Sequence, residues 1–498
     1  MATFQARRIR QKYAKLFGCK DAPRYPHKGP IFGLDLFFDN QEHAKTFTLL
    51  ETWTTRFEKY GHTFRANFLG SSAICTIDPV NIQVVHGSNF KDYGVQPLRR
   101  AATLPFLGEG VFTMDGAFWE YSRNLIRPTF NKTNVTNLSA FEVNLKKFFD
   151  LLPRDGSTVD LKPFVCRLFI DTSTEFLFGE SMNILAIKSP ARSQEFLDAF
   201  HYGLRGTGAR LQLGKLDFLY RDKKWRDSIK VAHAFAHHYV DKAIQYRNNR
   251  LAEDNSLSSK SYKTDDARHK YVLLHEMALE TGKRDVLRNQ IMHVFLAGHE
   301  SSAVAIGNAI FQLCRNPDMW NKLKSEVLDR EKEPLTPDAL KNMRYLQNII
   351  KETLRLYPVA STATRIAYRD TILPTGGGAD RNSPVFVPKG STVMTPVYAI
   401  HRLADCFQPN PNAFQPERWE ELKPGSSYIL FGWGPRTCPA QNMAEMEVAY
   451  TLARTAQEWE NIECRDEVKE WVEELRLSTS SRNGTKVGLV WASPQEQN

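Results

Sequence analysis

The spacing of apolar and polar residues along the chain predicts many helices and a few short strands. Apolar residues that recur every three to four positions indicate helices with one buried face, and short β-branched or alternating runs indicate strands. We predict helices at 42–60, through most of 135–250, and at 285–314, 318–330 and 345–356. We predict strands at 63–69, 73–77, 364–368, 385–387 and 392–394, and a loop at 92–110. The fold is therefore expected to be mainly α with small β-sheets (α+β).

The middle of the helix predicted at 285–314 is unusual. It reads AGHESS from Ala297 to Ser302, and the glycine and the two serines lower its helix propensity. A serine hydroxyl can also bond back to a carbonyl of the preceding turn and bend the helix. By itself the hexapeptide supports two interpretations equally, a polar surface patch and a functional pair formed by Glu300 and Ser301.

The overall composition excludes some partners. The chain has 498 residues, of which 42% are hydrophobic and 24% charged, and its net charge is +10. Basic residues are spread along the chain without a zinc-finger spacing or a long basic block, so we expect no nucleic-acid partner. An acidic protein partner or an anionic membrane surface fits the charge better. Seven cysteines without a CxxC motif favour a reducing compartment, and no apolar run approaches the ~18 residues of a membrane span.

One cysteine stands in an unusual loop. The segment Phe431–Gln441 reads FGWGPRTCPAQ and places Cys438 directly before a predicted helix. A helix N-terminus stabilises a thiolate through its dipole and its free N–H groups, and Arg436, two residues earlier, is within reach of an anionic ligand. An isolated cysteine is most often a buried structural one. However, the spacing Phe-x-x-Gly-x-Arg-x-Cys arises by chance at only about one start in 10⁵.

Two further spacings are weak when taken alone. Trp119 and Arg123 are four residues apart and share one helix face, and the simplest interpretation is a surface aromatic–cation pair. Glu352 and Arg355 are three residues apart and share a face as well. Surface pairs of this kind contribute little stability. Arg418 follows later, in the segment Phe-x-Pro-Glu-Arg-Trp.

Together these segments resemble the cytochromes P450, the haem-thiolate monooxygenases, and four motifs occur in the family's order between about residues 40 and 490. The resemblance implies the family's fold, with haem b between the long central helix and the helix after the cysteine loop. It implies that Cys438 is the axial ligand of the haem iron. The other implied roles are haem binding by Trp119, Arg123, Arg365 and Arg436, and a structural ionic triad of Glu352, Arg355 and Arg418. The pair His401–Arg402 is expected near the haem propionates as well.

The resemblance also assigns the oxygen chemistry to Glu300 and Ser301. Splitting the O–O bond requires protons at a buried site, which a positioned acid and a hydroxyl can deliver. Ser301 stands where the family more often has threonine, and Ala440 stands where it usually has glycine. We expect both to be tolerated, because serine keeps the hydroxyl and alanine is small and favours helix.

We expect a single haem domain at 36–498, preceded by a basic tail and a proline-rich connector at 1–35. Microsomal members of the family place a membrane anchor before such a connector. The chain is therefore expected either to start after its anchor or to contact the membrane peripherally, at the cytoplasmic face of the endoplasmic reticulum, with no transmembrane helix in this sequence. Electrons are expected from NADPH through a separate cytochrome P450 reductase, because the sequence has no GxGxxG unit and no length for flavin domains. The +10 charge fits an acidic partner.

The expected reaction inserts one oxygen atom of O2 into a C–H bond of a lipophilic substrate. The chain most resembles fungal n-alkane and fatty-acid hydroxylases, through the segments at 57–61, 112–116 and 365–419. Its pocket segment Val359–Ala363 is smaller and more polar than in that subgroup, which favours a larger or oxygenated substrate. Two substrate classes stay open, a long-chain fatty acid or alkane and a polyketide- or terpene-like fungal secondary metabolite. Two alternative functions also stay open, a haem-thiolate isomerase or dehydratase without oxygen activation and a non-catalytic haem-binding protein.

Overall fold

Helices dominate the chain, and the predicted fold class, mainly α with small sheets, is confirmed. The computed structural model describes residues 10–29, 32–130, 138–256, 271–331 and 333–492. The helices are α1 (Leu34–Lys45), α2 (Leu49–Tyr60), α3 (Pro79–Gln83), α4 (Gln96–Leu107), α5 (Gly116–Ile126), α6 (Leu138–Asp150), α7 (Leu161–Phe178), α8 (Ala191–Leu213), α9 (Lys223–Ser256), α10 (Leu273–Glu280), α11 (Arg284–Gly298), α12 (Ser301–Leu313), α13 (Pro317–Leu328), α14 (Pro337–Asn342), α15 (Arg344–Leu356), α16 (Val397–Ile400) and α17 (Gln441–Glu458). The strands are β1 (Thr63–Phe68), β2 (Ser71–Thr76), β3 (Tyr93–Gly94), β4 (Thr158–Asp160), β5 (Thr362–Ala367), β6 (Thr371–Gly377), β7 (Ser383–Val387), β8 (Thr392–Pro396), β9 (Trp459–Cys464), β10 (Glu473–Leu475), β11 (Thr479–Ser481) and β12 (Lys486–Trp491).

The main core lies where α12, α15 and α17 pack together. Helix α15 is amphipathic because apolar residues return every three or four positions between Leu346 and Leu356. Ile306 of α12, Ile349 of α15 and Leu452 of α17 are fully buried in one cluster. Each such side chain contributes on the order of 2 kcal/mol to stability. The core therefore fixes α12 against α17, the two helices that begin at the candidate site.

The largest sheet has five strands in the order β1-β2-β8-β5-β3. Strands β2 and β8 pair in parallel, and the other neighbours are antiparallel. Arg365 on β5 lies opposite Val393 on β8. The β10–β11 hairpin pairs Leu475 with Thr479 and leaves Ser478 in its turn. The sheets β4-β12-β9 and β6-β7 complete the β structure of the residues that the structure describes.

The loop prediction at 92–110 is wrong, because most of this stretch forms helix α4. The N–H groups of Val95 and Gln96 at its start donate to the carboxylate of Asp115 (2.9 and 2.7 Å). These N–H groups have no partner within the helix itself, and here a residue about 20 positions later satisfies them. A local pattern does not reveal such a cap.

The single helix predicted at 285–314 is interrupted at His299 and Glu300, between α11 and α12. The hydroxyl of Ser301 donates to the carbonyl oxygen of Ala297 (2.8 Å). This is the back-bond that bends helices, and the glycine before His299 weakens the helix at the same point. The irregularity in the sequence is therefore present as a break between two helices.

The N-terminal connector runs along the sheet. Tyr25 N donates to Arg65 O (2.8 Å), Arg65 N donates to Pro23 O (2.7 Å), and Lys20 N donates to Pro384 O (2.9 Å). The first nine residues of the predicted basic tail lie outside the described residues. Of the helices that the structure describes, none is both long enough and apolar enough to cross a bilayer.

Candidate active site

The cysteine loop turns back on itself. The backbone N–H of Cys438 donates to Phe431 O (2.9 Å), which joins the two ends of the loop. Gly432 and Gly434 have φ values of 82° and 72°, which residues with a side chain rarely adopt. A Cβ at Gly434 would also overlap the carbonyl group of His86. The glycines therefore allow the backbone of the loop to approach its neighbours closely.

Ala440, where the family usually has glycine, directly precedes helix α17. Its φ is −95°, a value open to any residue, so the backbone does not require glycine there. Burial raises the pKa of the Cys438 thiol, and the N–H of Ala440 and the guanidinium of Arg123 oppose that shift. Desolvation thus outweighs the stabilisation of the thiolate that the helix N-terminus was expected to give.

The break between α11 and α12 presents accessible surface within buried helices. Ala297 is exposed and Ser301 is half-buried, although Leu296 and Ser302 beside them are buried. Ala297 and Ser301 thus carry accessible surface at the break between the two helices.

Glu300 directs its carboxylate to the β10–β11 hairpin. The hydroxyl of Ser478 donates to Glu300 Oε2 (2.7 Å). Sequence reasoning missed Ser478, since the residues around a hairpin turn carry no signal for contact with a helix 178 positions away. Glu300 and Ser301 are therefore each held by one hydrogen bond, to the hairpin and to the preceding helix respectively.

A second acid links the two helices of the site. The hydroxyl of Ser302 on α12 donates to Glu447 Oε2 on α17 (3.2 Å). Burial raises the pKa of Glu447 to about 7, and the bond from Ser302 opposes this. Sequence reasoning missed Glu447, because an acid within a helical pattern is usually on the solvated face. The bond holds the helix break beside the helix that follows Cys438.

Four arginines, which we call the arginine cluster, lie near the cysteine loop. They are Arg99, Arg123, Arg365 and Arg436. Arg436 forms an ion pair with Asp115 and donates to Met114 O (3.2 Å). The guanidinium groups of Arg436 and Arg123 lie 4.5 and 5.9 Å from the ring centroid of Trp119. The ring therefore contacts arginines of both the cysteine loop and its own helix, α5.

Arg365 and Arg99 complete the cluster from β5 and α4. Burial and the positive charges of Arg99 and Arg436 lower the pKa of Arg365 to about 9, and Arg365 donates to Thr364 O (3.0 Å). Burial and Arg436 lower the pKa of Arg99 as well, which donates to Phe112 O (3.3 Å). Sequence reasoning missed Arg99 because its stretch was predicted to be a loop. Its position on a helix face becomes visible only once α4 is recognised.

The charge balance of the arginine cluster fits the predicted haem. Among the described residues, Asp115 is the only carboxylate that raises the pKa of Arg99, Arg365 and Arg436 alike. One negative charge therefore faces three positive charges. Like charges in a desolvated place destabilise one another, and the two propionates of haem are anions of the kind that this donor set would bind.

Glu352, Arg355 and Arg418 form what we call the ionic lock, with all three side chains buried. Arg355 donates through Nε and Nη2 to the two oxygens of Glu352 (both 2.8 Å), and Arg418 Nε donates to Oε1 (2.9 Å). Trp419 Nε1 and Gln415 N add two bonds to the same carboxylate (3.0 and 2.9 Å). The other guanidinium donors reach backbone carbonyls of the loop after α16.

His401 contacts the ionic lock, and Arg402 contacts the C-terminal end of helix α15. His401 Nδ1 donates to Arg355 O and its Nε2 accepts from Ile429 N (both 3.1 Å). Arg402 donates to Leu356 O (2.9 Å). These contacts link both residues to helix α15, and their place near the haem propionates stays a prediction.

Known proteins share this sequence over nearly its whole length. The profile of the family described as cytochrome P450 matches residues 23–485. The cytochrome P450 monooxygenase fsdH of Fusarium heterosporum is 37% identical over 485 residues, which cover 96% of this chain and 84% of that protein. The cytochrome P450 monooxygenase himC of Aspergillus japonicus is 36% identical over 483 residues (95% and 84%). Cytochrome P450 52A12 of Debaryomyces hansenii is 33% identical over 497 residues (96% and 93%).

Proposed function

The chain belongs to the cytochrome P450 family and is a monooxygenase of that family, and on this premise we propose that Cys438 binds the iron of haem b and that the substrate is a lipophilic molecule oxidised at a C–H bond. The observation that supports the haem site is that the cysteine loop and the helix after it connect the arginine cluster with the break between α11 and α12. The cysteine loop joins the arginine cluster through Arg436, and its helix joins the break between α11 and α12 through Ser302 and Glu447.

The bound haem would supply an iron whose thiolate ligand favours cleavage of the O–O bond. Cys438 would give up its proton on binding the metal. Arg123, Arg365 and Arg436, together with Arg99, would hold the propionates by charge-assisted hydrogen bonds. Trp119, which contacts two members of the cluster, would keep their guanidinium planes in place.

Glu300 and Ser301 would deliver protons at the break between α11 and α12. General acid catalysis requires the acid to lie within hydrogen-bond reach of its acceptor, directly or through one water. The bond from Ser478 holds the Glu300 carboxylate, and the bond to Ala297 O holds the Ser301 hydroxyl. The two bonds would keep this acid and this alcohol, which are neighbours in the sequence, at the helix break.

The ionic lock would position the cysteine loop without taking part in the chemistry. His401 accepts a bond from Ile429, two residues before the loop, and donates to the backbone of Arg355 in the lock. The lock is therefore connected to the loop by a short chain of buried hydrogen bonds.

The test of the haem site is the carbon monoxide difference spectrum of the reduced, purified protein. We expect a strongly red-shifted Soret band, and its loss in Cys438→Ala. The matched control is Cys19→Ala, since Cys19 is also a free cysteine and belongs to the N-terminal connector. A band at the position of histidine-ligated haem in the unchanged protein would contradict the assignment of Cys438. Turnover with and without NADPH and a reductase would separate a monooxygenase from a haem isomerase.

The substrate proposal rests on the segment after α15. Ala360 and Thr362 are exposed there, and Val359 O accepts from Thr479 N (2.9 Å), so the segment adjoins the hairpin that contacts Glu300. Small and polar side chains in this segment would leave room for a bulky or oxygenated molecule. A polyketide- or terpene-like secondary metabolite and a long-chain fatty acid are the two classes to compare, by the change that each induces in the haem spectrum. A response to a plain n-alkane alone would contradict this interpretation of the lining.

We also propose a source of electrons and a contact with the membrane. A separate NADPH-dependent reductase would donate electrons, and the net charge of +10 suits an acidic partner. Peripheral contact with the endoplasmic reticulum membrane is supported by the adjacent exposed apolar side chains Phe218 and Leu219 (65% and 60% exposed), because neighbouring exposed apolar side chains can mark a site of membrane contact. Flotation with lipid vesicles should fall when Phe218 and Leu219 are replaced by serine.

A further inference from the structure

The carboxylate of Asp115 lies where three parts of the molecule meet. Its Oδ2 accepts from Val95 N and Gln96 N at the start of α4 (2.9 and 2.7 Å) and from the hydroxyl of Tyr368 after β5. Its Oδ1 pairs with Arg436 of the cysteine loop. The Asp115 side chain is only 10% exposed, so few of its hydrogen bonds are shared with water.

The surrounding backbone is fitted to this carboxylate. Gly94 on β3 leaves no space for a side chain, because a Cβ there would overlap both Asp115 Oδ2 and the ring of Tyr368. The backbone N–H of Asp115 in turn donates to Gln96 Oε1 (3.2 Å). The exchange of bonds with Gln96 and the absence of a side chain at Gly94 fix the carboxylate in one place.

The same carboxylate sets the charge of the arginine cluster. Burial lowers the pKa values of Arg99, Arg365 and Arg436, at least one neighbouring arginine lowers each of them further, and Asp115 opposes the shift in all three. The contact with Asp115 is direct only for Arg436. Among the described cations of the cluster, Arg436 is thus compensated, and Arg99 and Arg365 are compensated only at longer range.

We infer that Asp115 is a positioning residue that holds Arg436 in an internal ion pair and sets the electrostatic potential at the haem. This inference rests on the proposed function, since it requires haem at the cluster. Asp115 would thereby orient Arg436 within the cluster that holds the propionates. Asp115 also holds the start of the helix that carries Arg99, so one side chain controls both the charge and the placement of the cluster.

The first measurement is the reduction potential of the haem iron in three variants. Asp115→Asn removes a negative charge near the haem and should shift the potential in the positive direction. The ferrous iron carries one positive charge fewer than the ferric iron, so the loss of a nearby negative charge favours the reduced form. Arg436→Gln removes the partner cation and should shift the potential in the negative direction. The double variant should lie close to the unchanged protein, since it removes a pair of opposite charges.

Tyr368→Phe is the matched control. It removes one hydrogen bond to the same carboxylate without changing the charge, so the potential should stay within experimental error. If Asp115 served only as a cap for α4, Asp115→Asn would lower thermal stability and leave the potential unchanged, and the inference would be overturned. If Asp115→Asn does not fold, Arg436→Gln decides the question, and an unchanged potential there contradicts the inference.

A second measurement uses the protein without haem. Asp115→Asn removes the carboxylate that opposes the positive charge of the arginine cluster. The melting temperature of the variant should therefore be lower than that of the unchanged protein at low salt. It should also rise more steeply with salt, because salt screens the repulsion between the arginines. An equal salt dependence in both proteins would contradict the charge role. A normal carbon monoxide spectrum together with unchanged potentials would reject this inference and leave the proposed function intact, whereas a missing band would reject the proposed function itself.

Discussion

Around Glu352 two arginines share one carboxylate, whereas Asp115 pairs directly with one arginine of a cluster of four. In the ionic lock, five donors converge on Glu352, and the remaining guanidinium donors of Arg355 and Arg418 reach backbone carbonyls. In the arginine cluster, burial and mutual repulsion lower the pKa values of Arg99, Arg365 and Arg436. The lock is satisfied by the protein alone, and the cluster has charge in excess. On the proposed function, this difference separates residues that hold the fold from residues that would bind the haem propionates.

The largest effect should come from breaking the lock. Glu352→Gln leaves two buried guanidinium groups without a counter-charge, and losing one partner of a buried pair costs about 3–5 kcal/mol. We expect a drop of that size in the free energy of unfolding, measured with urea on the haem-free protein. A loss under about 1 kcal/mol would mean that the lock is not the satisfied structure described above.

Replacing Glu447 should have an effect of intermediate size. Among the described residues, the hydroxyl of Ser302 is the donor to its buried carboxyl group. Its folded pKa of about 7 against 4.5 for the exposed group means that the folded protein binds the proton more tightly. Stability should therefore fall as pH rises from 4.5 to 7 and stay low above 7. Glu447→Gln removes this dependence and should stabilise the protein at pH 8 by up to about 3 kcal/mol. At pH 4 its effect should vanish, and an equal gain at both pH values would contradict the assignment.

Removing one arginine of the cluster should affect haem binding more than folding. Arg365→Gln removes a cation whose pKa its neighbours already depress, so the haem-free protein should not become less stable. Loss of a charge-assisted bond of about 1.5 kcal/mol should release haem roughly tenfold faster, measured by transfer to an excess of a haem acceptor. The control is Arg369→Gln, an exposed arginine paired with Asp92. Equal haem release in both variants would refute the role of Arg365.

The smallest effect is expected for an ion pair on the surface. Lys322 and Glu417 lie 2.7 Å apart, as close as the members of the lock, but the Lys322 side chain is 58% exposed. Lys322→Ala should leave the urea midpoint unchanged within experimental error, because solvent screens an exposed pair; it is measured by the same titration as Glu352→Gln. A cost similar to that of Glu352→Gln would show that burial is not what distinguishes the lock.

Local spacing was sufficient for much of the site. The cysteine loop, the Trp119–Arg123 pair and the Glu352–Arg355 pair each lie within a short segment, so their geometry follows from one turn or one helix face. The amphipathic helices were predicted for the same reason, because a period of 3.6 residues is written in consecutive positions. The cysteine loop and the α+β class were thus determined by the sequence itself, whereas the sequence predicted one continuous helix where α11 and α12 are separate.

Tertiary structure decided what depends on distant partners. Helix α4 has its first N–H groups bonded by Asp115, and α2 has the same help from Glu473, more than 420 positions away (2.7 and 2.9 Å). Arg99, Ser478 and Glu447 joined the site only because packing brought their elements to it. A buried carboxylate can bond to any donor that the fold brings near, and neither the choice of donor nor the resulting charge balance is encoded in the residues beside it.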